Sequence, residues 1–212
     1  MTQEAPMTTE SDPDAELRDR LAEAIAQEAA FSGWCFGAMR NAAERIGAGT
    51  DVRRLFPGGP TDVLSHLSRR ADERTVEQME KEAGELKIRD RIALGVKLRI
   101  QNTVGGKESV RRGLALLALP FNGPLAFRIL YRTTDAIWHA AGDRSTDFNF
   151  YSKRALLGGV FSSTLLYWLN DRSEGDQATW DFLARRIEDV MRFEKLKADL
   201  TSWTGPRRAA HR

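Results

Sequence analysis

The side chains with the most chemical potential in this 212-residue chain gather around Asp143, Arg144, Asp147, Lys153 and Arg154. Acids and bases at such spacing could move a proton. They suit equally a helix junction closed by caps and salt bridges, and no other catalytic pattern supports the first use. The three histidines, His66, His139 and His211, are scattered. None belongs to a His-Glu-x-x-His zinc motif or follows a glutamate at the di-iron spacing. Gly47-Ala48-Gly49 lacks the third glycine and the preceding strand of a dinucleotide loop, and no Gly-x-x-x-x-Gly-Lys run exists. A nucleophile elbow is also missing. No catalytic residue, metal ligand or cofactor is therefore assigned, and the expectation is a protein that is not an enzyme.

The elements around this stretch explain more than its charges do. An apolar helical pattern stops at Gly142, suited to a left-handed helix end, and another starts behind Thr146 or Asp147, either of which can cap a helix. The second helix opens with Phe148, Asn149, Phe150 and Tyr151. Adjacent helical residues point about 100° apart, so part of this aromatic surface faces outward. Beside charges, exposed rings suit an interface, where large flat side chains anchor and charges set register. The alternative is that Phe150 and Tyr151 are ordinary core residues.

Residues 1–11 are polar and unpatterned and read as a disordered tail. Asp12-Pro13 supplies a cap and a proline at the first helical position, opening a helix to about Phe31 on the stripe Leu17, Leu21 and Ile25. Helices follow at about 34–46 and 51–56, before the break Pro57-Gly58-Gly59-Pro60. Residues 12–59 thus look like a helix-turn-helix module. The remaining helices are expected at 61–82, 85–102, 108–119, 125–141, 151–169 and 178–203, forming a lobe over 60–204, with a basic tail at 205–212. No useful alternating pattern is found, so the fold class is all-α, with about nine helices.

The segment 151–169 is apolar nearly all round and is expected to be the central helix of the bundle. Its Gly158-Gly159 pair would admit another helix backbone or a ligand. In the last helix, Trp180, Leu183, Ile187, Val190 and Met191 form one stripe, while Phe193, Leu196, Leu200 and Trp203 lie nearly opposite. Either the helix bends near Met191, or its end addresses a membrane, a partner or a second subunit. Surplus apolar surface on these last two helices makes a homodimer the expected state.

Composition narrows the partners. Hydrophobic residues make up 42% and charged residues 29%, and the formal net charge of +2 predicts no strong general attraction to nucleic acid or anionic lipid. The one cysteine, Cys35, excludes an internal disulfide and, between Trp34 and Phe36, is expected to be buried and inert. The acidic start, with Glu4, Glu10, Asp12, Asp14 and Glu16 before Arg18, argues against a signal or transit peptide and for a cytoplasmic protein. The uncharged run 155–169 falls short of the roughly 20 residues that span a bilayer.

Short N-terminal helices before a larger helical lobe resemble the TetR-type regulators, with Arg53, Arg54, Arg69 and Arg70 as candidate phosphate contacts. Asp51 would repel phosphate, and Val52, Leu55 and Phe56 are poor readers of base edges. A DNA-binding regulator with a hydrophobic ligand is the second reading.

Longer words in the chain carry a more specific resemblance. Gly142-Asp143-Arg144-Ser145-Thr146-Asp147-Phe148-Asn149-Phe150-Tyr151-Ser152-Lys153-Arg154-Ala155-Leu156-Leu157, with Gly33-Trp34, Leu55-Phe56-Pro57-Gly58-Gly59, Lys87-Ile88-Arg89-Asp90-Arg91-Ile92, Tyr167-Trp168-Leu169-Asn170-Asp171 and Phe182-Leu183-Ala184-Arg185-Arg186-Ile187, is similar to the ubiquinone-biosynthesis accessory family, coenzyme Q protein nine in its mitochondrial form. The likeness runs from about Leu17 to Lys195. It implies a TetR-like fold, no catalysis, binding of isoprenoid quinone precursors, and their presentation to the demethoxyubiquinone hydroxylase by a protein peripheral to the inner membrane. No specific DNA is then expected. The family's surface patch corresponds to Asp147, Asn149, Phe150, Tyr151 and Arg154, facing partner or membrane, and the implied lipid contacts are placed at Leu157, Phe161, Leu165, Trp168 and Trp138. Phe150 stands where the mitochondrial members have tryptophan, keeping an aromatic anchor without the indole N–H. The mitochondrial form continues into a membrane-binding amphipathic helix. This chain stops soon after Trp203 with Gly205-Pro206-Arg207-Arg208, so membrane contact is expected either to be weaker or to use Phe193, Leu196, Leu200 and Trp203.

Overall fold

The computed structural model describes residues 12–143 and 148–203, the side chains at 148–150, 191 and 193–203 excepted. Among the described residues there is no strand, and nine α-helices carry the chain: α1 Pro13–Ser32, α2 Phe36–Arg45, α3 Val52–Leu55, α4 Pro60–Glu82, α5 Ile88–Gln101, α6 Gly106–Leu117, α7 Gly123–Ala140, α8 Phe148–Asn170 and α9 Gln177–Trp203. Short 3₁₀ turns at Pro120–Asn122 and Glu174–Asp176 precede α7 and α9. The all-α expectation holds, and each expected helix is present within about one turn of its anticipated ends.

The chain divides into two compact units, the first made of Met1–Glu73 and Asn102–Leu130. The first unit takes α6 in addition to the short N-terminal helices. Asp12 caps α1 by accepting from the Asp14 amide at 3.0 Å, and Pro13 follows at the first helical position. Leu21, Ile25, Met39, Leu55, Phe56 and Val63 form the core of this unit. The small, fully buried Ala22, Ala26 and Ala29 fit α1 against its neighbours α2 and α6. At the start of α6, Gly105 has φ +82°, and a β-carbon there would lie 2.6 Å from the Ala26 carbonyl oxygen, so both conformation and packing demand glycine. The Trp34 indole N–H donates to the Ser109 carbonyl at 2.9 Å and pins α6 in place.

Cys35 is exposed, contrary to the expectation of a buried thiol. The chain turns there to begin α2. The cysteine sits at the N-cap, its Sγ accepting from the Ala38 amide at 3.4 Å, while Phe36 also points to solvent.

A buried imidazole joins α1 to α4. His66 Nε2 lies 2.7 Å from Asp19 Oδ1, and its Nδ1 lies 3.0 Å from an Arg69 guanidinium nitrogen. Arginine can only donate, so Nδ1 accepts, the proton sits on Nε2 facing Asp19, and the ring is neutral. Burial, opposed by Asp19, holds the His66 pKa below its ordinary 6.5. A depressed histidine value means that the unfolded chain takes up the proton first. The stabilisation is therefore complete above the unfolded value and is lost as pH falls through the folded one. Urea unfolding at about pH 7.5 and about pH 5.5 is expected to show this loss. In His66→Gln the same interval should give a shallower slope, and equal slopes would contradict the assignment.

The second unit comprises Arg74–Gln101 and Tyr131–Arg212. Along α8 the buried residues Leu157, Val160, Phe161, Thr164, Leu165, Trp168 and Leu169 recur at helical spacing. Tyr151, Leu166 and Tyr167 on the same helix are exposed, so α8 buries one face and is not enclosed on most sides as its composition suggested. Gly158 is buried, whereas a β-carbon on Gly159 would meet nothing within 4 Å. Gly159 is thus not a close-packing glycine among the described residues. That role falls to Gly95 on α5, where a β-carbon would lie 2.7 Å from Met79 Sδ and 2.8 Å from Ile137 Cγ2.

Helix α9 packs on α8 and α5, with Tyr167 stacked on Phe182 at 4.6 Å between ring centres. Asp171 organises its entry, accepting from the Ser173 and Thr179 amides, each at 2.8 Å, and from the Thr179 hydroxyl at 2.6 Å. Hydrogen bonds from Thr179 and then Ser173 hold its carboxyl well below the usual carboxylate range. The motif Tyr167-Trp168-Leu169-Asn170-Asp171 is thus a device for turning the chain from α8 into α9.

Candidate functional site

The end of α7 and the beginning of α8 meet through an ion network. Arg154 Nε donates to Asp135 Oδ1 at 2.6 Å, and a terminal guanidinium nitrogen lies 3.7 Å from Asp143 Oδ2. Lys153 reaches the other Asp143 oxygen at 2.7 Å, and its ammonium lies 5.4 Å from the centre of the Trp138 ring. The Trp138 indole N–H donates to the Lys153 carbonyl at 3.1 Å. Gly142, at φ +91°, ends the helical run ahead of Asp143 as expected.

This arrangement corrects one expectation. Arg154 is 4% exposed, so it does not face a partner or a membrane. Its charge is spent inside, holding Asp135 and Asp143. Tyr151, by contrast, is 67% exposed and points outward. The side chains of Asn149 and Phe150, and the whole of Asp147, lie outside the described residues. So do the side chains of Phe193, Leu196, Leu200 and Trp203, although α9 runs as one helix through Trp203.

The residues assigned to lipid come together in the second unit. Leu157, Phe161, Leu165 and Trp168 share the buried face of α8, and Trp138 is half-buried at its start. Two are fixed by polar or cationic neighbours: the Trp168 indole donates to Asp176 at 2.9 Å, and the Arg99 guanidinium lies 5.8 Å from the Phe161 ring centre. The groove beside Asp135, about 490 Å³, is open to solvent and mixes Glu80, Arg132 and His139 with Val76, Ala136 and Ala140 in its lining. No sequence motif marks Asp135. The signal for it is Arg154 itself, which lies three residues before Leu157 on the buried stripe and so requires an acid on a neighbouring helix.

Among the described residues no group of three or more His, Cys, Asp or Glu side chains is placed to hold a metal ion. Two of the four candidate phosphate contacts are occupied by acids, Arg54 by Asp14 and Asp51 and Arg70 by Asp19 and Glu73, while Arg53 is exposed. Arg69 lies against His66 and Glu73. No single described helix is long and apolar enough to cross a membrane.

Short N-terminal helices ahead of a larger helical set, with no strand among the described residues, give a TetR-like fold. The crystal structure of the TetR transcriptional regulator from Nitrosomonas europaea superposes with a TM-score of 0.67 at 21% identity, covering 82% of this chain and 97% of that one. That likeness concerns the fold. By sequence the chain is a relative of the COQ9 proteins: residues 123–194, from the start of α7 into α9, match the COQ9 family model. It is 28% identical over 186 residues to the human ubiquinone biosynthesis protein COQ9, mitochondrial, covering 84% of this chain and 58% of that protein. The Drosophila melanogaster protein is 28% identical over 193 residues, covering 89% of this chain and 59% of the relative. COQ9-B of Xenopus laevis is 30% identical over 190 residues, with 84% and 64% covered. The chain thus spans 58% of the length of the human relative.

Proposed function

We propose that the chain is a non-catalytic accessory protein of ubiquinone biosynthesis, which binds an isoprenoid quinone precursor along the apolar side of α8 and presents it to the demethoxyubiquinone hydroxylase. The observation that carries this reading is the COQ9 match over residues 123–194, which contain the buried stripe Leu157, Phe161, Leu165 and Trp168. Each buried CH₂ stabilises by roughly 0.8 kcal/mol, so a polyisoprenoid gains strongly from such surroundings. These side chains are packed, so a lipid reaches them only when α8 parts from its neighbours. The exposed Leu166 and Tyr167 support pairing of two copies through α8 and α9. The ion pairs of Arg54 and Arg70 weigh against a DNA-binding regulator.

Solvent extraction of the purified protein followed by mass spectrometry tests the reading, together with light scattering at micromolar concentration and binding to its own upstream DNA at moderate salt. Co-purified isoprenoid lipid, a dimer and no specific DNA binding are expected. Specific DNA binding without lipid would overturn the proposal. Tyr151 supplies the docking test. Because it is exposed, Tyr151→Ala should change stability by no more than about 0.5 kcal/mol. Association with the hydroxylase should nevertheless weaken by more than about 2 kcal/mol, as for a central aromatic anchor. Unchanged association, read by calorimetry, would move the docking surface elsewhere.

A further inference from the structure

From Leu114 to Phe127 the chain carries no charged residue. Together, Gly106–Leu117 and Pro120–Ala140 have the length and apolar composition of a membrane span, but the chain bends sharply between them and makes a corner instead of a rod. The corner belongs to the first unit up to Leu130. Its tip is the 3₁₀ turn Pro120–Asn122, clamped by the Asn122 side-chain amide donating to the Leu116 carbonyl at 2.9 Å and by the Asn122 backbone N–H donating to the Leu119 carbonyl at 2.9 Å. Asn122 faces inward and is buried, which turns Phe121 outward to 76% exposure. Phe127, one turn into α7, is 70% exposed, and Leu119, Pro120 and Pro124 are exposed with them.

Large apolar side chains at the tip of a fixed turn are costly in water unless something covers them. The flanking charge identifies the cover. In 102–130 the charged residues are Lys107, Arg111, Arg112 and Arg128 against the single acid Glu108, which pairs with both Arg111 and Arg112. An uncharged aromatic tip on a segment of net positive charge, with Arg128 next to Phe127, matches an anionic bilayer surface, with rings in the acyl boundary and cations toward the phosphates. A protein partner would need acidic residues set around an apolar socket, a more particular demand.

We infer that the α6–α7 corner is a membrane-docking wedge, with Phe121, Phe127 and Leu119 entering the interface of an anionic bilayer and Lys107 and Arg128 engaging its headgroups. The inference rests on the peripheral membrane contact that the family resemblance implies, and assigns it to the first unit instead of to α9. It requires no lipid in the second unit.

Flotation with vesicles of phosphatidylcholine and phosphatidylglycerol, and with phosphatidylcholine alone, tests it using the full chain. The wild type should bind the anionic vesicles more tightly. Phe121→Ser with Phe127→Ser should weaken binding at least about tenfold while leaving the circular-dichroism melt unchanged, because both rings are already in water. Lys107→Glu with Arg128→Glu should weaken binding to anionic vesicles, steeply with salt, and leave weak binding to neutral vesicles as it was. Full binding by the phenylalanine double variant would overturn the wedge and leave membrane contact standing elsewhere on the chain. A wild type that binds no vesicles would overturn membrane contact as a whole, whatever lipid co-purifies. Loss of self-association in the double variant, with vesicle binding intact, would assign the corner to a second copy and overturn the wedge equally.

Discussion

Replacing Arg154 by methionine is expected to cost about 3–5 kcal/mol of unfolding free energy, because it strips a buried pair of one partner. The Arg154 side chain is 3% exposed and that of Asp143 7%, so water offers little substitute for the lost guanidinium. Lys153 still holds one Asp143 oxygen, which argues for the lower end of that range. Arg154→Lys keeps the charge but not the fork and should fall between. Adding Asp135→Leu to Arg154→Met should restore part of the loss by removing the acid whose 2.6 Å partner is gone. Urea unfolding of the four proteins measures this directly. Wild-type stability in Arg154→Met would mean that the residue is not interior after all, and the family's surface patch would regain it.

Phe161→Ala should cost about 3–5 kcal/mol, the usual result of emptying a buried aromatic site. The loss should lie toward the upper end, because the buried Arg99 guanidinium now over the ring would face a hole. Phe161→Leu keeps most of the volume and should cost no more than about 1.5 kcal/mol. Both values follow from chemical denaturation with unchanged m-values. If the alanine variant lost under about 1 kcal/mol, that stripe of α8 would not be a packed core. The proposed path of the isoprenoid would then require no separation of helices.

Helix order was legible in the sequence because caps, breaks and apolar spacing are local. Asp12-Pro13, Gly142 and the Pro57–Pro60 break each act through a few neighbouring residues, and each punctuates the fold where expected. What was not legible depended on contacts distant in sequence. An apolar composition on every side placed α8 in the centre, yet composition cannot distinguish a helix enclosed by its own chain from one with an apolar outer face at Leu166 and Tyr167. Cys35 looked buried from its aromatic neighbours, but the turn into α2 sends both Cys35 and Phe36 outward. Arg154 was expected on the surface because the family's patch corresponds to it, although its position on the Leu157 stripe pointed inward. At the α6–α7 corner, proline and glycine announced a break without revealing which side of it Phe121 would take.

The sulfur at the head of α2 also bears on how the molecule can be labelled. Cys35 is the sole thiol of the sequence and is open to solvent, so a maleimide dye or nitroxide would mark one position in the first unit without any substitution. The same sulfur accepts the Ala38 amide, and a bulky adduct that swings it away would uncap the helix, at about 1 kcal/mol for an average cap. A probe attached there would report on the first turn of α2 and loosen it in the same act.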